Sequence, residues 1–229
     1  MTRPLLIFVI LVPSLLVSVR PLPASDPSHE RNRALRVAQK MEEAFRDVED
    51  YRCEVEQVFF REGRVDQRFR FRFYFKKNKK IRVDFIQPYS ELSLFYREGD
   101  DHVTVVPLRF LRLLKLRLSV GNPKVQTPAG QRLNQTDMGY FIDFVLTNLR
   151  KVHQKEDEFE EQEGRIKFML WAMDYIGGKS LEKYRIIVST QVWLPVRIER
   201  YDINGRPLET ISIEGYAVNA RLEDGMFLP

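Results

Sequence analysis

Val65-Asp-Gln-Arg-Phe-Arg-Phe-Arg-Phe-Tyr-Phe-Lys76 decides the fold. Val65, Phe69, Phe71, Phe73 and Phe75 fall on one parity, with Gln67 breaking the row; Asp66, Arg68, Arg70, Arg72, Tyr74 and Lys76 fall on the other. Successive side chains of a strand point to opposite faces. Alternation over this length therefore means one dry face and one wet face, the mark of an antiparallel sheet. Upstream, Tyr51, Cys53 and Val55 alternate with Arg52, Glu54 and Glu56, and Glu62-Gly63-Arg64 supplies the turn between the two strands.

Downstream, Lys77-Asn78-Lys79-Lys80 turns the chain. Ile81, Val83 and Phe85 then alternate with Arg82 and Asp84 until Pro88. Leu92–Tyr96, a Gly99-Asp100 turn and Val103–Val106 form the next hairpin. Residues 108–118 read two ways. Leu114, Leu116 and Leu118 alternate as in a strand, while Arg109, Arg112 and Lys115 recur as on a basic helix; flanking strands favour the strand. Gly121–Asn134 is a loop, and Thr136 or Asp137 caps a helix running to about Leu149. Lys155–Glu163 is an acidic run read as a solvated turn. Residues 165–174, 184–189, 193–201 and 208–216 complete the sheet. Asn204-Gly205 marks a two-residue hairpin turn. Before the first strand, Pro27 opens a helix whose Leu35, Ala38, Met41, Phe45 and Val48 make one apolar stripe.

Nine or ten antiparallel strands and two helices result. The fold class is mainly antiparallel β with α. A sheet with one aromatic face must cover it, and long strands coil under their own twist. The expectation is a highly curved, unclosed β half-barrel whose helices plug or lid the mouth. The alternative at this point is the same sheet around a solid core.

Sixteen Phe and nine Tyr accompany three His and one Cys. A single Cys excludes an internal disulfide and multi-Cys metal sites, and its parity makes Cys53 a small core residue. His29, His102 and His153 show no metal spacing. No nucleophile elbow or phosphate loop is present. Catalysis would need carboxylates such as Asp84 and Glu91 to converge, so the expectation is no enzyme, no cofactor and no metal. The net charge of +5, two of it from Arg3 and Arg20, is too small a surplus to point to nucleic acid. The row Arg68, Arg70, Arg72 and Lys76 reads either as a surface for anionic lipid or as a solvated strand face.

Arg3 precedes an apolar stretch of residues 5–19 and then Pro23-Ala24-Ser25. This is the layout of a Sec signal peptide over residues 1–25, or of an uncleaved anchor, and it predicts a periplasmic location. Residues 26–229 then form one domain.

The order of motifs resembles a known family. Tyr51-Arg-Cys53, Lys80-Ile-Arg-Val-Asp-Phe-Ile-Gln-Pro88, the Gly99-Asp100 turn, Trp193-Leu-Pro-Val-Arg-Ile-Glu-Arg-Tyr-Asp-Ile-Asn-Gly205 and Asn219-Ala-Arg-Leu-Glu-Asp-Gly-Met-Phe227 are similar to the LolA-like periplasmic carriers of outer-membrane lipoproteins. Tyr51-Arg-Cys53, taken with Pro128-Ala-Gly130 and the helix Met138–Val145, looks closer still to an uncharacterised bacterial branch of that superfamily, a domain of unknown function. The resemblance implies an apolar half-barrel cavity for lipid or lipoprotein acyl chains under a helical lid. It also implies membrane-bound donor and acceptor proteins and a monomer. Relatives with this fold also act as envelope sensors. Phe69, Phe71, Phe73, Phe75, Val83 and Phe85 are the expected cavity wall. The family's lid latch is an Arg on the second strand; the matching position, counted back from Gln87-Pro88, is Lys77, a point charge without the planar fork of Arg.

Overall fold

The computed structural model describes residues 27–108, 114–151, 159–173, 176 and 180–229. The signal-peptide reading, His153, residues 109–113 of the ambiguous stretch and residues 155–158 of the acidic run lie outside them. Helix α1 (Pro27–Arg46) leads into β1 (Asp50–Arg61), β2 (Arg64–Lys76), β3 (Lys80–Gln87), β4 (Ser93–Tyr96), β5 (His102–Val106) and β6 (Leu116–Ser119). Helix α2 (Met138–Arg150) follows, then β7 (Phe159–Gln162), β8 (Arg165–Met173), β9 (Leu181–Ser189), β10 (Pro195–Tyr201) and β11 (Pro207–Val218).

All described strands belong to one antiparallel sheet in the order β6-β5-β4-β3-β2-β1-β11-β10-β9-β8-β7. The two ends of that order do not pair, so the curved sheet is an open trough and not a barrel. This is the half-barrel expected from the alternation, with eleven strands. The extra strand is β7, where the acidic run pairs with β8 through Glu160↔Lys167 and its neighbours. Leu116–Ser119 is a strand, paired with β5. The hairpin after Tyr201 is a five-residue loop and not a two-residue turn. Asp202 Oδ1 accepts from the backbone N–H groups of Asn204 and Arg206, and Gly205 takes a φ of +77°.

The two helices fill one half of the trough. They pack on each other, α2 against β8 and α1 against β7. Ala34, Ala38 and Met41 of α1 and Phe141, Ile142, Val145, Leu146 and Leu149 of α2 are buried there with Phe168, Leu170, Tyr184 and Ile186 of the sheet. Close approach depends on Gly139: a Cβ at that position would stand 2.7 Å from Phe45 Cε1. Phe45 in turn packs against Tyr51 and Phe75, at ring-centroid distances of 6.4 and 5.8 Å. The other half of the trough, over β1–β6 and β11, is not filled by helix.

Candidate ligand-binding site

A cavity of about 700 Å³ occupies that second half. Its sheet wall is apolar: Cys53 and Val55 of β1, Phe69, Phe71 and Phe73 of β2, Val83 and Phe85 of β3, and Ile211 and Ile213 of β11. Leu94, Val105, Leu116 and Leu118 extend it across β4–β6. The opposite wall is the segment 123–137, closed at its inner end by Met138 and Phe141 from the first turn of α2. This volume lies within the range of small-molecule sites.

The strand that decided the fold grades along its inner face from solvent to cavity to core. Val65 is exposed; Gln67, Phe69, Phe71 and Phe73 line the cavity. Phe75 does not. It is buried among Tyr51 and Phe45, 5.1 Å from the Tyr51 ring, beneath the helices. Five of the six residues expected on the wall therefore line the void, and the sixth belongs to the packed base. Phe69, Phe71 and Phe85 remain half-buried and pack on one another, with Phe69–Phe85 at 6.2 Å and Phe71–Phe85 at 5.7 Å.

The lid segment is a built structure. Gln131 Nε2 donates to Gln135 O at 2.8 Å, the Gln131 N–H donates to Thr127 Oγ1 at 3.0 Å, and Gln126 Nε2 donates to Gly121 O at 2.9 Å. Asp137 caps α2 by accepting from the Tyr140 N–H at 3.1 Å. Tyr51 Oη accepts from the Met138 N–H at 3.3 Å, fastening the helix start to β1.

Lys77 reaches Glu49 Oε1 at 2.7 Å, at the α1–β1 junction. The cation that meets the lid is Lys79, whose Nζ stands 3.3 Å from Asp137 Oδ2 and 3.5 Å from Asn134 O.

Sequence reasoning missed a buried polar cluster on the same concave face. Arg200 donates from Nε and Nη2 to Glu182 at 3.0 and 3.1 Å and from Nη1 to Glu209 at 2.5 Å. Tyr184 Oη donates to Glu182, and Gln57, itself on the cavity wall, donates to Glu209. The signal was present: Glu182, Arg200 and Glu209 share parity with Tyr184, Ile198 and Ile211 on their strands. The lid residues of 123–137 were also missed, because an irregular loop has no periodicity to read.

Asp84 and Cys53, weighed from sequence as reactive groups, are each accounted for locally. Asp84 is held on the outer face by Arg82, at 2.8 Å, and by Ser93 Oγ, at 2.6 Å. Burial pushes the Cys53 thiol up to about 12, so it stays protonated at neutral pH. The basic row of β2 meets carboxylates of β1: Arg68–Glu56 at 3.2 Å, Arg70–Glu54 at 2.8 Å and Arg72–Glu54 at 3.4 Å. Hydrogen bonds from Arg70 and then Arg72 hold the Glu54 carboxyl below its usual range. That arrangement is a cross-strand charge ladder on a solvated face. Among the described residues no group of His, Cys, Asp or Glu is arranged to hold a metal.

No family model matches the chain, and no curated protein matches it. Solved structures do. A DUF1329 family protein from Desulfovibrio piger is 16% identical, with 89% of this chain and 98% of that one covered, at a TM-score of 0.44. A LolA superfamily protein from Nitrosomonas europaea is 14% identical over 86% and 97%, at 0.39. The lipoprotein LppX of Mycobacterium tuberculosis is 11% identical over 84% and 98%, at 0.46. The two groups named from the motifs, LolA-like proteins and a domain-of-unknown-function branch, are thus both met among the structural neighbours.

Proposed function

We propose that the protein is a lipid-binding protein of the bacterial periplasm that holds acyl chains, free or carried by a lipoprotein, in the half-barrel cavity. The observation that carries this reading is the void itself. Phe69, Phe71 and Phe85 leave apolar surface facing empty space, where helices cover the equivalent surface in the other half of the trough. Burying a large apolar side chain contributes about 1.5–3 kcal/mol, so a wall of this kind left to water is a standing cost that a bound chain removes. A solid-core interaction module would close this space with side chains; the cavity favours cargo.

The role is binding and not catalysis. In support, the Cys53 thiol is protonated, Asp84 is engaged by Arg82 on the outer face, and the lid's Asp137 is taken up by capping α2 and pairing with Lys79. The N-terminal sequence supports export, and the motif resemblance supports a monomer exchanging cargo with membrane-bound donor and acceptor proteins.

The test is native mass spectrometry of protein recovered from the periplasm of its host. The expected result is a ligand-bound mass whose adduct dissociates as a lipid or acylated peptide. A ligand-free mass alone, together with no uptake of a fluorescent fatty acid, would contradict the reading.

A further inference from the structure

Six residues both line the cavity and face solvent, and they locate its mouth: Gln67, Tyr89, Leu116, Pro123, Lys124 and Pro128. Lys124 is the charged one among them, and it is positive. Apolar side chains crowd the rim around this opening. Tyr89 is 57% exposed, Leu116 46%, Leu114 48% and Val65 54%; the last two continue the inner faces of β6 and β2 outward. Isolated exposed apolar residues are ordinary on a protein surface, but an apolar rim continuous with an apolar cavity is not an isolated residue.

The charge on one lip is one-sided. Leu114-Lys-Leu-Arg-Leu-Ser-Val-Gly-Asn-Pro-Lys124 contains Lys115, Arg117 and Lys124 and no acid. Lys115 and Arg117 alternate with Leu114, Leu116 and Leu118, so the lip presents leucines on one side and cations on the other. Across the mouth, the β1–β2 tip is balanced: Arg61 and Arg64 stand with Glu62 and Asp66, and Arg61 pairs with Asp66 at 3.2 Å. Self-association through the Leu114–Lys124 lip would bring like charges together, which argues against a second copy as its occupant.

We propose that the lip Leu114–Lys124, with Tyr89 and Val65 opposite, docks on an anionic bilayer surface and sets the cavity mouth against the headgroups. Leucines and a tyrosine enter the interfacial layer, while the three cations meet anionic headgroups. Seated this way, an acyl chain passes between bilayer and Phe wall without crossing water. The inference rests on the cargo reading above for its purpose, but not for its test.

The test is vesicle flotation of the full protein with phosphatidylcholine vesicles and with vesicles containing phosphatidylglycerol. It is run beside uptake of a soluble fluorescent fatty acid. The expected result is flotation with the anionic vesicles, weakened by salt, and weaker with the neutral ones. Lys115→Glu with Arg117→Glu, and separately Leu114→Glu, lowers the partition by about tenfold or more. None of these residues lines the cavity, so fatty-acid uptake stays at the wild-type level. Absence of flotation with anionic vesicles, equal flotation with neutral ones, or variants that float like the wild type would each overturn the proposal. In all three cases intact fatty-acid uptake leaves the cargo reading standing, and its loss in the wild type sinks that reading alone.

Discussion

Lys79 Nζ stands 3.3 Å from Asp137 Oδ2, joining the β2–β3 turn to the residue that caps α2 at the inner end of the lid. The Asp137 side chain is buried, and its Oδ2 accepts no hydrogen bond in the structure, so this cation is its compensation. Asp137→Ala removes both the cap and the pair. The cap alone is worth about 0.5–2 kcal/mol. Lys79→Met leaves the carboxylate without its cation. Both variants should lower the denaturation midpoint and speed ligand release in stopped-flow displacement. Lys77→Met, which severs only the exposed pair with Glu49, should leave release unchanged.

Arg200 sits between Glu182 and Glu209 with all three side chains nearly inaccessible. Removing the central cation leaves two carboxylates buried together. Arg200→Met should therefore destabilise by about 3–5 kcal/mol in chemical denaturation. Adding Glu182→Leu and Glu209→Leu should restore much of the loss, because an apolar replacement of a whole buried ionic group is often tolerated. A single variant as stable as wild type would show the cluster to be solvated.

Gly139→Ala tests the contact that lets α2 lie on α1. The added methyl group meets the Phe45 ring at 2.7 Å, and that ring is wedged against Tyr51 and Phe75. The expected effect is a loss of about 1–3 kcal/mol, despite alanine's better helix propensity. Phe45→Leu in the same chain should relieve part of it.

Alkaline pH should unfold the protein through Cys53 and Tyr51. Burial raises the Cys53 thiol from 9.0 to about 12, and burial followed by the proximity of Cys53 and Asp137 raises the Tyr51 phenol well above its ordinary range. A group whose folded pKa is raised contributes stability that is fully present below its unfolded pKa and is lost as pH rises through the folded one. For Cys53 that window runs from about pH 9 to about pH 12. Cys53→Ala should flatten the fall in stability across it, measured as denaturation midpoint against pH. At pH 8 the native thiol should react with a disulfide reagent far more slowly than in denaturant.

Alternation along Val65–Lys76 was enough to read an inner aromatic face, and the Gly63 and Gly99 turns were legible for the same local reason. What alternation could not show is where along that face packing stops. Phe75 and Phe71 have the same parity, yet one meets Tyr51 and Phe45 while the other meets a void, because the helices cover only one half of the trough. Counting positions pointed to Lys77, whereas the cation that meets Asp137 is Lys79, two residues on, for a conformational reason. Asn78 and Lys79 take positive φ values of 62° and 44°, so the turn redirects Lys79 toward α2, a change that counting positions does not reveal. Arg200, Glu182 and Glu209 sit in phase with apolar neighbours and are buried, but a strand's parity does not by itself show that two carboxylates and a guanidinium from three strands meet inside.

Calorimetric titration with saturated fatty acids of increasing length tests the central claim, cargo in the Phe-lined cavity, most directly. Each buried methylene contributes about 0.8 kcal/mol, so affinity should rise roughly fourfold per methylene until the cavity is full and then level off. Ile211→Trp, which fills the void from β11, should move the plateau to shorter chains. Affinity independent of chain length, or a plateau unmoved by Ile211→Trp, would contradict the account.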